Sequence, residues 1–136
     1  MKIKIKNTIL IISLLLILTS CFDNSIYFDI NSQSVRSCNK KAFDRLYVIS
    51  EDNKDFYYFT VRTGAEGTNN FNLRKPNRNY LLVERYSEIN IDSFELKPEK
   101  GYLVKNITFG DAATGQILIK TDKRGRVVYS NVTNCQ

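Results

Sequence analysis

Leu46-Tyr47-Val48-Ile49, then Glu51-Asp52-Asn53-Lys54-Asp55, then Phe56-Tyr57-Tyr58-Phe59-Thr60-Val61-Arg62 is the stretch that decides the fold. Two runs of β-branched and aromatic residues flank a polar, turn-forming pentad, and that pattern reads as an antiparallel hairpin. The same signature recurs down the chain in Tyr80 to Arg85, in the short alternating Phe94-Glu95-Leu96, in Tyr102 to Phe109, in Gln116 to Thr121 and in Arg126 to Tyr129. The last two runs are joined through Asp122-Lys123-Arg124-Gly125, where the glycine can adopt a positive φ. Helical periodicity is confined to Asn39 to Arg45, room for one turn or two. Thr63 to Asn79 reads as a long polar loop anchored only by Phe71 and Leu73. There is no internal repeat. The expected fold is all-β, a small antiparallel sandwich of seven to eight strands, with an open sheet carrying one helix or a small barrel as the competing architectures.

Leu96-Lys97-Pro98-Glu99-Lys100-Gly101-Tyr102 has the spacing Leu-x-Pro-x-x-x-Tyr. It resembles the corner between strands E and F of fibronectin type III and related immunoglobulin-like sandwiches. The resemblance implies that the Tyr102 hydroxyl ties back to upstream backbone, that Leu96 faces the core, and that Pro98 stops the preceding strand. Tryptophan is absent, so the strand C tryptophan of antibody domains has no counterpart here.

The amino-terminal end reads differently. Lys2, Lys4 and Lys6 precede the apolar runs Ile9 to Ile12 and Leu14 to Leu18, and Leu18-Thr19-Ser20-Cys21 closes the segment. A basic region, a short apolar region and small residues at the cut make an export signal over 1–20. A membrane-spanning helix needs about 20 apolar residues, more than this segment offers. The four closing residues resemble the lipobox of bacterial lipoproteins, which implies cleavage before Cys21 and acylation of its thiol with diacylglycerol. Residues 21–37 then read as a lipidated terminus and short tether, with Ile26 to Ile30 open as a first strand, and 38–136 as the sandwich domain. Phe22 stands where such lipoproteins carry an Asp for inner-membrane retention, so the resemblance implies the periplasmic face of the outer membrane in a two-membrane source.

Charge and cysteine content fit that address. The chain carries net +6, and because three lysines and no acid leave with the signal, the remainder carries +3. A surplus that small and diffuse excludes nucleic acid as the expected partner and suits an anionic or acidic surface. With Cys21 assigned to lipid, Cys38 and Cys135 remain as an even pair in an oxidising compartment, and a disulfide between them is expected.

Catalysis is not expected. The chain has no histidine, which removes the usual general base, the commonest zinc ligand and the Ser-His and Cys-His nucleophile pairs, so neither metal nor cofactor is expected. Glu84, Glu88 and Asp92 cluster in sequence but read as solvated charge near strand ends. Gly110 to Gly115 lacks the lysine and following helix of a phosphate loop and reads as a connection. Two features suit protein binding. Arg74, Lys75 and Arg78 place three cations in the long loop. In Phe56 to Phe59, alternation forces either Tyr57 with Phe59 or Phe56 with Tyr58 away from the buried face, which makes Tyr57 and Tyr58 the candidate contact tyrosines. The Leu-x-x-x-x-Gly-Tyr segment of Leu96 to Tyr102 and the Thr-Asp-x-x-Gly-x-Val hairpin of Thr121 to Val127, in an exported lipoprotein with a cysteine pair, resemble periplasmic lipoproteins described as immunity proteins of type VI secretion. That resemblance implies a membrane-anchored, non-enzymatic module that occludes a toxic effector. A structural or assembly lipoprotein of the cell envelope is the alternative.

Overall fold

The computed structural model describes residues 24–107 and 114–135. The described residues form ten strands: β1 Ile26–Asp29, β2 Ser34–Ser37, β3 Arg45–Ser50, β4 Phe56–Val61, β5 Asn70–Asn72, β6 Tyr80–Glu84, β7 Ser87–Ile89, β8 Gly101–Asn106, β9 Gly115–Thr121 and β10 Val127–Ser130. They make two antiparallel sheets, one ordered β1-β2-β5 and one ordered β10-β9-β8-β3-β4-β6-β7. This is an all-β sandwich, as the alternating runs require, divided three strands against seven.

The large sheet follows from period-two burial. Leu46 and Val48 of β3, Tyr57 and Phe59 of β4, Tyr102 and Val104 of β8, and Ile117 and Ile119 of β9 all point inward and are buried. Against that face lie Phe28, Val35 and Phe71 from the small sheet, each fully buried. The Phe59 and Phe71 rings sit 4.8 Å apart across the two layers, and Phe71 meets Tyr80 edge-on at 5.0 Å. Ile91, Phe94 and Leu96, in and after the 3-10 turn Ile91–Ser93, cover the rest, with Phe94 edge-on to both Tyr57 and Phe59 at 5.0 and 4.9 Å. Aromatic pairs of that geometry add about 0.5–1.5 kcal/mol each beyond their burial.

Four expectations change. The tether expected over 21–37 is folded from Ile26 onward, because Ile26 and Phe28 bury one face and the Asp29 carboxylate accepts the Asn31 and Ser32 amides to turn the chain into β2. The segment 39–45 is not helical before β3 begins: Asn39 accepts the Lys41 amide and Phe43 N–H donates to the Thr68 carbonyl, so the backbone bonds that a helix would need are used elsewhere. The long loop contains β5, whose Phe71 and neighbouring Leu73 are the expected anchors. Phe94 to Leu96 keeps its in-out alternation but is not a strand.

Three devices close the sandwich. The Tyr102 hydroxyl accepts the Lys97 N–H at 2.9 Å and Leu96 is buried, as the corner requires, whereas Pro98 has no preceding strand to stop. Gln33 is buried, and its side-chain amide donates to the Val127 carbonyl at 2.9 Å and accepts the Val127 N–H at 2.8 Å, standing in for a neighbouring strand at the edge of the large sheet. Cys38 and Cys135 form a disulfide with Cα atoms 5.6 Å apart, 97 positions apart in sequence. Among the described residues, no helix is long and apolar enough to cross a membrane.

Candidate functional site

The outer face of the large sheet carries the second half of the aromatic alternation. Phe56 and Tyr58 point outward from β4, beside outward Tyr47 on β3, because Tyr57 and Phe59 are taken by the core. Tyr47 stacks on Tyr58 with ring centroids 4.8 Å apart and meets Phe56 edge-on at 5.6 Å. The register places Val83 of β6 beside Tyr58, and Glu88 of β7 beside Val83. On the other flank, Lys105 of β8 pairs with Tyr47, and the Arg45 guanidinium lies 5.8 Å from the centre of the Tyr58 ring.

These rings floor a shallow hollow of about 590 Å³ whose wall is the β6–β7 turn, Arg85-Tyr86. Phe56 remains 40% exposed and Tyr86 is fully exposed. The turn has only two residues between Glu84 and Ser87, with φ 46° at Arg85 and 74° at Tyr86. Left-handed backbone at two bulky residues in succession is strained, since hairpins of this length favour Asn-Gly. Arg85 reaches back to donate to the Lys54 carbonyl in the β3–β4 turn, which fixes the tip above the hollow.

The expected site residues are divided by the fold. Tyr58 lies in the hollow, but Tyr57 does not: it is buried against Phe94, and burial, reinforced by Asp55 and Glu84, pushes its phenol up to about 12. Tyr57 is therefore corrected from contact residue to core residue. Arg74, Lys75 and Arg78 are exposed but do not converge. Arg74 donates to the Arg124 carbonyl at 3.3 Å, toward the β9–β10 turn, whereas Arg78 grips both oxygens of Asp92 at 3.0 and 3.2 Å. Only Lys75 and Arg78 share a hollow, and Asp92 lies in it. Of the three carboxylates noted together in the sequence, Glu84 faces the Tyr57 side of the sheet, Glu88 the opposite face, and Asp92 serves Arg78. Cys21 and residues 108–113, which include most of Gly110 to Gly115, lie outside the described residues.

A buried carboxylate stands behind the hollow. Asp55 is 3% exposed and is gripped by Lys97 and, at 2.7 Å, by Lys100. Burial alone would raise its pKa, but the hydrogen bonds from Lys100 and Lys97 outweigh it and hold the carboxyl below its ordinary value. The cluster ties the β3–β4 turn to the Tyr102 corner, which makes it structural. Among the described residues no group of three His, Cys, Asp or Glu side chains could hold a metal ion.

Sequence reasoning missed Tyr47, Arg85 and Tyr86. Tyr47 was recoverable from its place opposite Tyr58 in the hairpin; Arg85-Tyr86 gave no turn signal, because neither residue favours the conformation it adopts. No protein-family model matches this chain, and no curated protein or solved structure matches it either.

Proposed function

We propose that this chain is an exported lipoprotein, acylated at Cys21 and anchored at the periplasmic face of the outer membrane, that acts without catalysis by binding another protein, as an immunity protein neutralising a secreted toxin does. The observation that carries the binding half is the outer sheet face, where Tyr47, Phe56 and Tyr58 floor a hollow, Arg45 lies over the Tyr58 ring, and no second sheet among the described residues covers them. Tyrosine and arginine side by side, rigid and half desolvated, make up the composition of interface hot spots. The anchoring half rests on the sequence over 1–21, with its three lysines, short apolar run and terminal cysteine.

The test has two arms. Wild type and Cys21→Ser are fractionated from the same cells, with wild type expected in the membrane and the variant released from it. The chain is then co-expressed with the toxin-sized product of a neighbouring reading frame, exported to the same compartment. Restored growth and a stable complex are the expected result; no protection, together with recovery of envelope-assembly proteins, would put the structural role in its place.

A further inference from the structure

We infer that the hollow between the β3–β4 turn and the Arg85-Tyr86 tip is where this chain holds its partner, and that the partner presents an apolar side chain flanked by carboxylates. The inference rests on the protein-binding reading above and gives it a place and a chemistry.

The tip supplies the first reason. Arg85 and Tyr86 occupy φ 46° and 74°, positions that Asn-Gly would fill without strain. Strain kept in a two-residue turn calls for a use of the side chains themselves. One is tied across the hollow to the Lys54 carbonyl, and the other stands fully exposed at its rim. The floor supplies the second. Tyr47, Phe56, Tyr58 and Val83 form an apolar patch with polar phenol edges, suited to one inserted aliphatic or aromatic anchor.

Charge identifies the partner. Arg45 lies over Tyr58, Lys105 sits in register with Tyr47, and Arg85 forms the wall, with Lys54 in the adjoining turn. Glu88 is the acidic residue in register beside the patch, while Glu51 turns toward Gly101, on β8. Arg85 thus lines the hollow and Arg45 and Lys105 share its sheet face, against Glu88 alone in register there, so the complementary surface carries carboxylates around its anchor.

Position excludes lipid as the occupant. Leu46 pairs with Asn106 at one end of the sheet, and Asn24 receives the Asn106 side-chain amide at 3.2 Å at that same end. The turns at 51–55 and 85–86 lie at the opposite end, because Ile49 pairs with Phe56 and Glu84 with Ser87. A six-residue strand separates the two ends by about 20 Å. Cys21 precedes Asn24 by three residues, at most about 10 Å of chain. An acyl anchor there holds the Asn24–Asn106 end toward the bilayer and leaves the hollow, at the other end, facing solvent.

The full chain, purified in detergent, is titrated with two short synthetic peptides that share a Leu-Trp anchor, one flanked by glutamates and one by lysines, and followed by amide NMR shifts. The glutamate peptide is expected to move the signals of Tyr47, Tyr58, Val83 and Tyr86 and to bind about ten-fold more tightly than its lysine counterpart. The double variant R85N/Y86G is expected to melt at a higher temperature than the parent yet to bind the glutamate peptide about ten-fold more weakly. Equal affinity for the two peptides, shifts confined to another face, unchanged binding by R85N/Y86G, tighter engagement of phosphatidylglycerol vesicles by the same residues, or dimerisation through this face would each overturn the inference. A photo-cross-linker at Tyr86 and, separately, at Lys75 distinguishes the ways of failing: protein adducts from Lys75 alone place the contact elsewhere, and adducts from no surface position end the protein-binding reading as well.

Discussion

Replacing Tyr102 with Phe removes one oxygen and leaves the ring in place, so the corner can be weighed almost by itself. Tyr102 is fully buried, and burial pushes its phenol pKa up, so the hydroxyl is neutral at ordinary pH. Its oxygen accepts the Lys97 N–H at 2.9 Å, and that amide stands where the chain turns from the Phe94–Leu96 segment into β8. A neutral hydrogen bond is worth about 1 kcal/mol net, and a donor left stranded in a dry interior adds about 1–3 kcal/mol. The hydrogen bond between the Lys97 N–H and Tyr102 is only part-buried, so the stranding penalty is the smaller end of that range. The loss should be about 1–2 kcal/mol, or about 3–8 °C in Tm for a domain of this size. Urea unfolding followed by circular dichroism measures it, with exposed Tyr129→Phe as the control that should change stability by less than about 0.5 kcal/mol. A Tyr102→Phe protein as stable as that control would refute the claim that this hydroxyl locks the crossover.

Tyr80→Phe should cost more than Tyr102→Phe, because the Tyr80 hydroxyl both donates to the Phe43 carbonyl at 2.6 Å and accepts the Thr68 N–H at 3.0 Å; equal midpoints in the same urea series would contradict this. Cys135→Ser opens a covalent loop spanning 97 positions and should lower stability by up to about 4 kcal/mol, with reduction of the wild type by dithiothreitol reproducing the shift. Asp55→Ala should cost about 2 kcal/mol, less than a fully buried pair because Lys97 is half exposed. Since the folded Asp55 carboxyl titrates below its ordinary value, its contribution is complete above about pH 4 and is lost as pH falls through the folded pKa; acid titration of stability should be shallower in the Ala variant than in wild type. Gly125→Ala should destabilise by about 1–3 kcal/mol, because φ is 72° there and an added Cβ would strike the Leu96 carbonyl oxygen.

Much of the large sheet was legible because its strands alternate. In Leu46 to Ile49 and Phe56 to Val61, burial on every second residue is written in the side chains, and the intervening polar pentad can do little but turn. The corner was legible through a resemblance: the Leu-x-Pro-x-x-x-Tyr spacing implied the tie between the Tyr102 hydroxyl and upstream backbone that the Lys97 N–H makes. The small sheet was legible only in Ile26 to Ile30, left open as a first strand. β1 and β2 are joined by Ile30-Asn31-Ser32-Gln33, whose polarity suggests a tether, and what recruits them is tertiary, Phe28 and Val35 against the large sheet and Gln33 against Val127. β5 and β7 are three residues each, and β7, Ser87-Glu88-Ile89, has the composition of a loop.

The binding surface shows the same division. Alternation dictates that Tyr57 and Tyr58 face opposite ways, but which of them faces in is decided by Phe94, a partner 37 positions downstream of Tyr57. Three neighbouring cations in sequence are divided by the fold: Arg74 reaches the Arg124 carbonyl, whereas Lys75 and Arg78 border one hollow with Asp92. Arg85-Tyr86 was invisible for a physical reason. A turn that contradicts local preference leaves no local signal, and only the pairing of Glu84 with Ser87 reveals it.

Mass spectrometry of the amino-terminal peptide from the chain isolated out of its own envelope tests the account where everything else attaches. The account predicts a mature chain that begins at Cys21 and carries a diacylglycerol on that thiol. An unacylated cysteine, or a chain that retains residues 1–20, would contradict it.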